Sequence, residues 1–401
     1  MTGTSAIHVL LLPVLTIVVA YLLVCGLYLD MLVVAASRYT KRSAAGPATH
    51  TVTLMIPAHD ESAGIGATLA RVAELEYPAG LLRTVVIADN CTDDTATRAR
   101  AAGAEVWERS DLEHPGKGPA LRWAIERLGP ARPGQAVAVL DADSEPSADW
   151  IRRAEARLRG GEEAVQSYYG LSNETSSRRT RLMGVALLIF HHVRPAGREV
   201  LGLSAGLKGN GMVFASALLE RVPWDAFSVT EDLEYASILA MNGVRVAYDG
   251  GSRVLGPAGL GKGAQSQRLR WEGGRFGVTR RWAGPLLFRA VRHASLLQFD
   301  SAMELIVQPL GLLVMLNAVA AIVAAAGLAL GAVSAGWLVL AVVALALFGL
   351  HVVGGLLVAR APARSYATLL TAPGYIAWKL VVYFLVLTGV QRAQWGRTER
   401  G

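Results

Sequence analysis

Apolar residues crowd the two ends of the chain, and a polar stretch, roughly residues 37–295, lies between them. The first apolar run covers 7–36 and is interrupted by His8, Thr16 and Asp30. It exceeds the ~20 residues that a helix needs to cross a bilayer. A cleaved leader is the less expected reading, because no basic start precedes the run and the run is too long. Arg38, Lys41 and Arg42 follow at once, which puts that end in the cytosol by the positive-inside rule. Two further runs, about 305–330 and 337–358, predict a helical hairpin. Its connector, 331–336, carries no charge and suits the outer side, whereas Arg360 and Arg364 bring the chain back inside. The last apolar segment, 366–390, contains Pro373, Gly374, Tyr375, Trp378 and Lys379, which suit a helix lying in the interface. The expected organisation is a spanning helix in 1–37, a cytosolic domain over 38–295, and a C-terminal region over 296–401. That last region would hold two spanning helices, an interfacial helix and a cytosolic tail.

Within the polar stretch, short apolar runs at 52–56, 85–88, 106–107 and 136–140 read as strands. Helical patterns alternate with them, at 65–75 and from a cap at Thr92 or Asp93 to residue 102. That alternation predicts an α/β domain, Rossmann-like, with a mostly parallel sheet. In such open sheets ligands bind outside the carboxyl ends of the strands. Glu61, Asp89 and Asp141 all fall at those ends.

Composition narrows the class. Hydrophobic residues make up 52% of the 401 and charged residues only 18%, too apolar for an ordinary soluble protein of this size. The net charge of +7 would serve nucleic acid, anionic lipid or nucleotide phosphates. With apolar runs at both ends, lipid headgroups and a nucleotide are the better partners and nucleic acid is not expected. Cys25 and Cys91 fall in an apolar run and a loop, which excludes a disulfide framework or a cysteine metal knuckle.

Three short motifs carry the candidate chemistry. Asp141-Ala142-Asp143 closes the strand at 136–140, and two carboxylates there suit a divalent cation beside a bound nucleotide. A role confined to the turn is the alternative. Thr230-Glu231-Asp232 opens the helical pattern 233–241 and supplies carboxylates able to take a proton. Equally, Thr230 suits an N-cap and the two acids favour a first helical turn. Gln267-Arg268-Leu269-Arg270-Trp271 places a forked cation beside an indole, a surface for phosphate and sugar or an anchor in the membrane interface.

In this order the motifs resemble those of the membrane-bound family 2 glycosyltransferases, which include cellulose, hyaluronan and poly-N-acetylglucosamine synthases and ceramide glucosyltransferase. The resemblance covers roughly 50–290. It implies a GT-A fold and a nucleotide-sugar site in which Pro57-Ala58-His59-Asp60-Glu61 and Ala88-Asp89-Asn90-Cys91-Thr92-Asp93-Asp94 form uridine-binding loops. Asp89 would contact uracil or ribose, with Pro57 and Glu61 supporting the pocket. Lys117, between Gly116 and Gly118, would steady the nucleotide, against a reading as a solvated loop lysine. Asp141 and Asp143 would hold Mg²⁺ or Mn²⁺, with Asp143 more directly on the ion. Asp232, beside Glu231, would be the general base. Gly209, Asn210 and Gly211 would line the acceptor side, and Gln267, Arg270 and Trp271 would complete the acceptor and diphosphate site.

The activity implied is inverting transfer from a UDP-sugar, GlcNAc or glucose, to a lipid or glycan acceptor at the cytosolic face of the plasma membrane, with a β-linked product. The polymer synthases have more spanning helices than the three expected here, whereas ceramide-type enzymes have one before the domain and few after it. A processive synthase coupled to export therefore stays as the alternative, needing a homo-oligomer or a small membrane partner for its channel. A flippase would need paired ionisable groups at the bilayer midplane, where only Asp30, Glu304 and His351 are candidates. A non-catalytic nucleotide-sugar-binding membrane protein would lack the acids, yet Asp141, Asp143 and Asp232 are all present.

Overall fold

The computed structural model describes residues 3–44, 46–259 and 262–374, with the backbone alone described over 3–11 and 262–272. The polar stretch folds around an 8-stranded sheet. Its strands are β1 (Thr51–Ala58), β2 (Leu82–Asp89), β3 (Glu105–Arg109), β4 (Gln135–Val139), β5 (Glu145–Pro146), β6 (Ala164–Leu171), β7 (Met212–Ala215) and β8 (Val246–Gly256). Across the sheet they run β3-β2-β1-β4-β7-β6-β8-β5. The runs at 52–56, 85–88, 106–107 and 136–140 all become strands, and β1 to β4 pair in parallel.

The sheet is buried on both faces. Val52, Leu54 and Ile56 pack with Ile65, Leu69 and Trp150 on one side, while Met55, Val85 and Val139 pack with Leu121, Trp224 and Tyr235 on the other. Alternation within β1 follows from the two-residue period of a strand.

Two strands depart from the parallel pattern, the two-residue β5, antiparallel to β8, and β7. β7 runs antiparallel between β4 and β6, with Val139 opposite Met212. Its leading residues, Gly209, Asn210 and Gly211, are therefore delivered to the carboxyl end of β4, next to Asp141. A parallel strand in that place would have put them at the far edge.

Helix boundaries differ in detail from the periodic pattern. The helix expected from Thr92 or Asp93 begins at Thr95 with Asp94 at the N-cap, and Asp93 Oδ1 instead accepts the Thr95 N–H at 2.9 Å. Thr230 is the N-cap of the helix Glu231–Met241, but its hydroxyl caps nothing. The apolar run at 305–330 is cut at Pro309, which separates the helix Leu296–Ile306 from Leu310–Ala329, since proline removes a donor and disfavours helix before it.

Among the described residues, the helices Gly3–Ala36, Arg178–Leu188, Leu310–Ala329, Ala335–Val358 and Ala363–Leu369 form a second compact unit. Three stretches, Leu12–Ala36, Leu310–Ala329 and Ala335–Val358, are long and apolar enough to cross a membrane by length and composition. Most of the expected interfacial helix and the whole tail, residues 375–401, lie outside the described residues.

Gly118, in the first turn of the helix Lys117–Arg127, shows how tightly the site is held. A Cβ there would stand 2.2 Å from the carbonyl oxygen of Ala226, just before the helix Glu231–Met241. Gly118→Ala is expected to cost about 1–3 kcal/mol through this overpacking. A lowered denaturation midpoint for the detergent-solubilised protein would register it, and an unchanged midpoint would mean that the contact relaxes freely.

Candidate active site

The loops after β1 and β2 are stitched to each other. Asp60 and Asn90 take left-handed backbone conformations, φ 53° and 51°, where the chain turns off each strand. Asp60 Oδ1 accepts the Thr92 N–H at 2.7 Å, which holds its carboxyl below the usual range. The Glu61 N–H donates to Thr95 Oγ1 at 2.8 Å, and His59 Nδ1 lies 2.8 Å from the Asp89 carbonyl oxygen. Asp60, Cys91 and Asp93 bring ligand atoms within 4.8 Å of one another. However, the two carboxylates already accept backbone and hydroxyl protons from Thr92, Thr95 and Ser62, so this trio fastens the loops.

Asp89 is 4% exposed. Arg109 Nη1 donates to its Oδ1 at 2.6 Å, and the Gly116 N–H donates to its Oδ2 at 3.3 Å. Arg109 Nη2 also donates to Asp111 at 2.7 Å and to the His114 carbonyl at 2.9 Å. The Asp89–Arg109 pair thus shapes the loop that leads to Lys117. Sequence reading missed Arg109. Its signal was its place at the carboxyl end of β3, the same edge that carries Asp89.

Lys117 is the hub of the opposite half. Its Nζ donates to Asp141 Oδ1 and to the Gly209 carbonyl, each at 2.5 Å, and stands 3.7 Å from Glu231 Oε1. One ammonium therefore joins the turn after β4, the loop before β7 and the start of the helix Glu231–Met241. Burial opposes its charge, yet Asp141, Glu231 and Asp232 outweigh burial and hold its pKa above the usual lysine range.

Asn210 is fully buried. Its Oδ1 accepts the Asp141 N–H at 3.1 Å, its Nδ2 donates to Ser144 Oγ at 2.7 Å, and its carbonyl accepts from Gln166 Nε2 at 2.7 Å. It brackets the Asp141–Ser144 turn. Gly209 and Gly211 have φ of 80° and 70°, and a Cβ on Gly209 would lie 3.4 Å from Asp232 Oδ2. The Asp232 carboxylate is thus at this loop as well. Tyr169, another residue the sequence reading missed, is pushed up by burial and by the charges of Asp141 and Asp143.

Asp141 and Asp143, both half-buried, present hard oxygen donors on one turn. The Lys117 ammonium already stands as a cation on Asp141. The donor chemistry fits Mg²⁺ or Mn²⁺.

Burial raises the Glu231 carboxyl to about 7, with Lys117 opposing and Asp232 adding to the rise, and burial likewise raises Asp232. A carboxyl with a raised folded pKa binds its proton more tightly folded than unfolded. The stability this lends is full below about 4.5, the ordinary glutamate value, and is lost as pH climbs through about 7. The unliganded protein is accordingly expected to show a lower denaturation midpoint at about pH 8 than at about pH 5. Glu231→Gln should shrink that difference, and an unchanged difference would remove Glu231 as its source.

Gln267, Arg270 and Trp271 fall within the helix Lys262–Arg292, but their side chains lie outside the described residues. That helix passes the base end of the site. A Cβ on Gly274 would meet Thr230 Cγ2 at 3.2 Å and Val229 Cβ at 3.4 Å.

The profile of the family described as "Glycosyltransferase like family 2" matches residues 47–274. A β-monoglucosyldiacylglycerol synthase of Synechocystis sp. is 28% identical over 190 residues, 46% of this chain and 39% of that protein. The probable glycosyltransferase YdaM of Bacillus subtilis is 25% identical over 192 residues, 46% of this chain and 45% of that protein. The chain therefore spans less than half the length of these curated relatives. The solved mannosyltransferase PcManGT from Pyrobaculum calidifontis, in complex with GDP-Man and Mn²⁺, shares the fold with a TM-score of 0.57 at 20% identity, over 94% of this chain and 99% of that one.

Proposed function

The chain belongs to glycosyltransferase-like family 2, and on that premise we propose that it moves one sugar from a UDP-sugar to a lipid acceptor at the cytosolic membrane face. The GT-A sheet supplies the frame, and the enzyme is a transferase. The observation that carries the reading is the Lys117 hub, which gathers Asp141, Gly209 and Glu231 around one point at the carboxyl edge of β4.

In this mechanism Pro57, Glu61 and the Asp89–Arg109 loop cradle the nucleoside. Asp143, with Asp141, would hold Mg²⁺ or Mn²⁺, which would offset charge on the leaving diphosphate. Lys117 adds a fixed positive charge beside it, and Arg270 suits the phosphates while Trp271 suits the sugar face. Asp232 accepts the proton of the acceptor hydroxyl as that oxygen bonds to the anomeric carbon. The bond from that carbon to the UDP oxygen breaks, and UDP leaves with the electron pair. One displacement inverts the centre, so an α-linked donor gives a β-linked product.

Glucose is the first donor to test, since the Synechocystis relative is a glucosyldiacylglycerol synthase, with GlcNAc next. The charge pattern around the apolar runs favours a multi-pass plasma-membrane protein with its sheet domain and tail in the cytosol.

The deciding experiment supplies purified protein and Mg²⁺ or Mn²⁺ with radiolabelled UDP-glucose, UDP-GlcNAc or GDP-mannose and vesicles containing diacylglycerol. An organic-soluble product carrying one sugar supports the proposal. A high-molecular-weight polysaccharide would replace it with a processive synthase, working as a homo-oligomer or with a small membrane partner. No transfer from any donor would overturn both.

A further inference from the structure

We propose that Lys208 is a positioning residue for the base: held by a buried ion network behind the acceptor loop, its ammonium lowers the pH at which Asp232 becomes a carboxylate. The inference rests on the assignment of Asp232 as base; Lys208 lies in the segment 207–212 that the resemblance puts on the acceptor side, which gives this lysine no role of its own.

Lys208 is 5% exposed and precedes Gly209, the residue that abuts Asp232. Its backbone is fixed by its N–H, which donates to Gln166 Oε1 at 2.8 Å. Its Nζ lies 3.0 Å from Glu304 Oε1 on the helix Leu296–Ile306. One turn earlier on that helix, Asp300 Oδ2 is 2.9 Å from Arg198 Nε, and Arg198 also pairs with Glu304 Oε2. Arg275 donates to the Glu304 carbonyl. The ammonium is thus held by Glu304, which Arg198 and Arg275 hold in turn.

Behind it lies a cavity of about 20 Å³, lined among others by Lys208, Leu233, Ser237, Ser301 and Glu304. That is room for about one water. Because Lys208 is buried, its charge reaches Asp232 through a medium of lower effective dielectric than water.

The charges facing Asp232 explain why this matters. Glu231 adjoins it on the same helix, Lys117 faces it from the helix Lys117–Arg127, and Lys208 from the loop before β7. Asp141 lies beyond Lys117, while Glu304, Asp300 and Arg198 lie beyond Lys208. Burial favours the neutral acid at Asp232, and the two lysines oppose it. Lys117 is the stronger of the two but is shared with Asp141 and Glu231, and Lys208 adds a second buried cation that favours the Asp232 carboxylate. Burial and Arg198 depress Lys208 itself, and Glu304 supports its charge.

The test uses full-length protein in detergent with two neutral variants, Lys208→Met and Lys208→Gln, and one charged variant, Lys208→Arg. The infrared carbonyl band of protonated Asp232 is identified as the band lost in Asp232→Asn and titrated without substrate. The acid limb of UDP release from UDP-glucose is recorded in parallel. Both neutral variants should move the midpoint upward by about one pH unit, a tenfold loss of rate on the acid side. UDP binding should be retained, and Lys208→Arg should restore the wild-type midpoint. An unmoved midpoint in a neutral variant that still binds UDP would overturn the proposal, as would an upward shift in Lys208→Arg. Absence of transfer by the wild type would sink the glycosyl-transfer reading alone, because the infrared titration still reports on the coupling.

Discussion

Asp232→Asn is expected to lower kcat by about a thousandfold while leaving UDP binding intact. Asparagine keeps the shape of the side chain but cannot accept the acceptor proton, and general bases typically contribute 10²–10⁴-fold. The neutral amide also suits the site, since burial already disfavours charge at this position. Loss of the base should therefore not unfold the helix Glu231–Met241. Nucleotide binding, measured by calorimetry with UDP, separates lost chemistry from lost structure. Glu231→Gln should cost less, because Glu231 faces Lys117 at 3.7 Å and acts on the hub. If Asp232→Asn turned over at the wild-type rate, the base would have to be found elsewhere, and Glu231, whose carboxyl is pushed up to about 7, would be the next residue to replace.

Asp143→Asn is the second large effect. Exchanging a hard carboxylate for an amide weakens a site whose other carboxylate, Asp141, is already shared with the Lys117 ammonium at 2.5 Å. A divalent cation at such a site supplies several kcal/mol of charge stabilisation, so kcat/KM should fall by about a hundredfold or more. The variant should also need a higher Mn²⁺ concentration for half-maximal activity. Chelation by EDTA should abolish wild-type turnover, and added Mg²⁺ or Mn²⁺ should restore it. Full activity of Asp143→Asn in EDTA would leave Asp141 and Asp143 with a turn role only.

Much of the frame was legible because its signals are local. The runs 52–56, 85–88 and 136–140 alternate or saturate with apolar residues and end in polar turns, and each became a parallel strand with its acid at the carboxyl edge. Three apolar stretches of spanning length were equally plain, because length and composition suffice to define them. Helix ends were read less well, since Pro309 and the Asp93–Thr95 turn depend on which backbone group each residue meets.

The contents of the site followed a different rule. Asp141, Glu231 and Lys117 each stood out as residue types, but no period in the sequence indicates that one ammonium touches all three segments. Asn210 was read as facing the acceptor, and the structure has it fully buried and bracketing the turn of Asp141. Arg109 and Lys208 carry no individual signal in the sequence, yet each is buried against a carboxylate that is distant in sequence. Sequence alone determined the strands β1 to β4, the apolar stretches of spanning length and the chemical types at the strand ends, because hydrophobic burial imprints a repeat on neighbouring positions. Only the tertiary structure decided which charges meet, because the antiparallel entry of β7 and the packing of Leu296–Ile306 join segments whose spacing leaves no repeat.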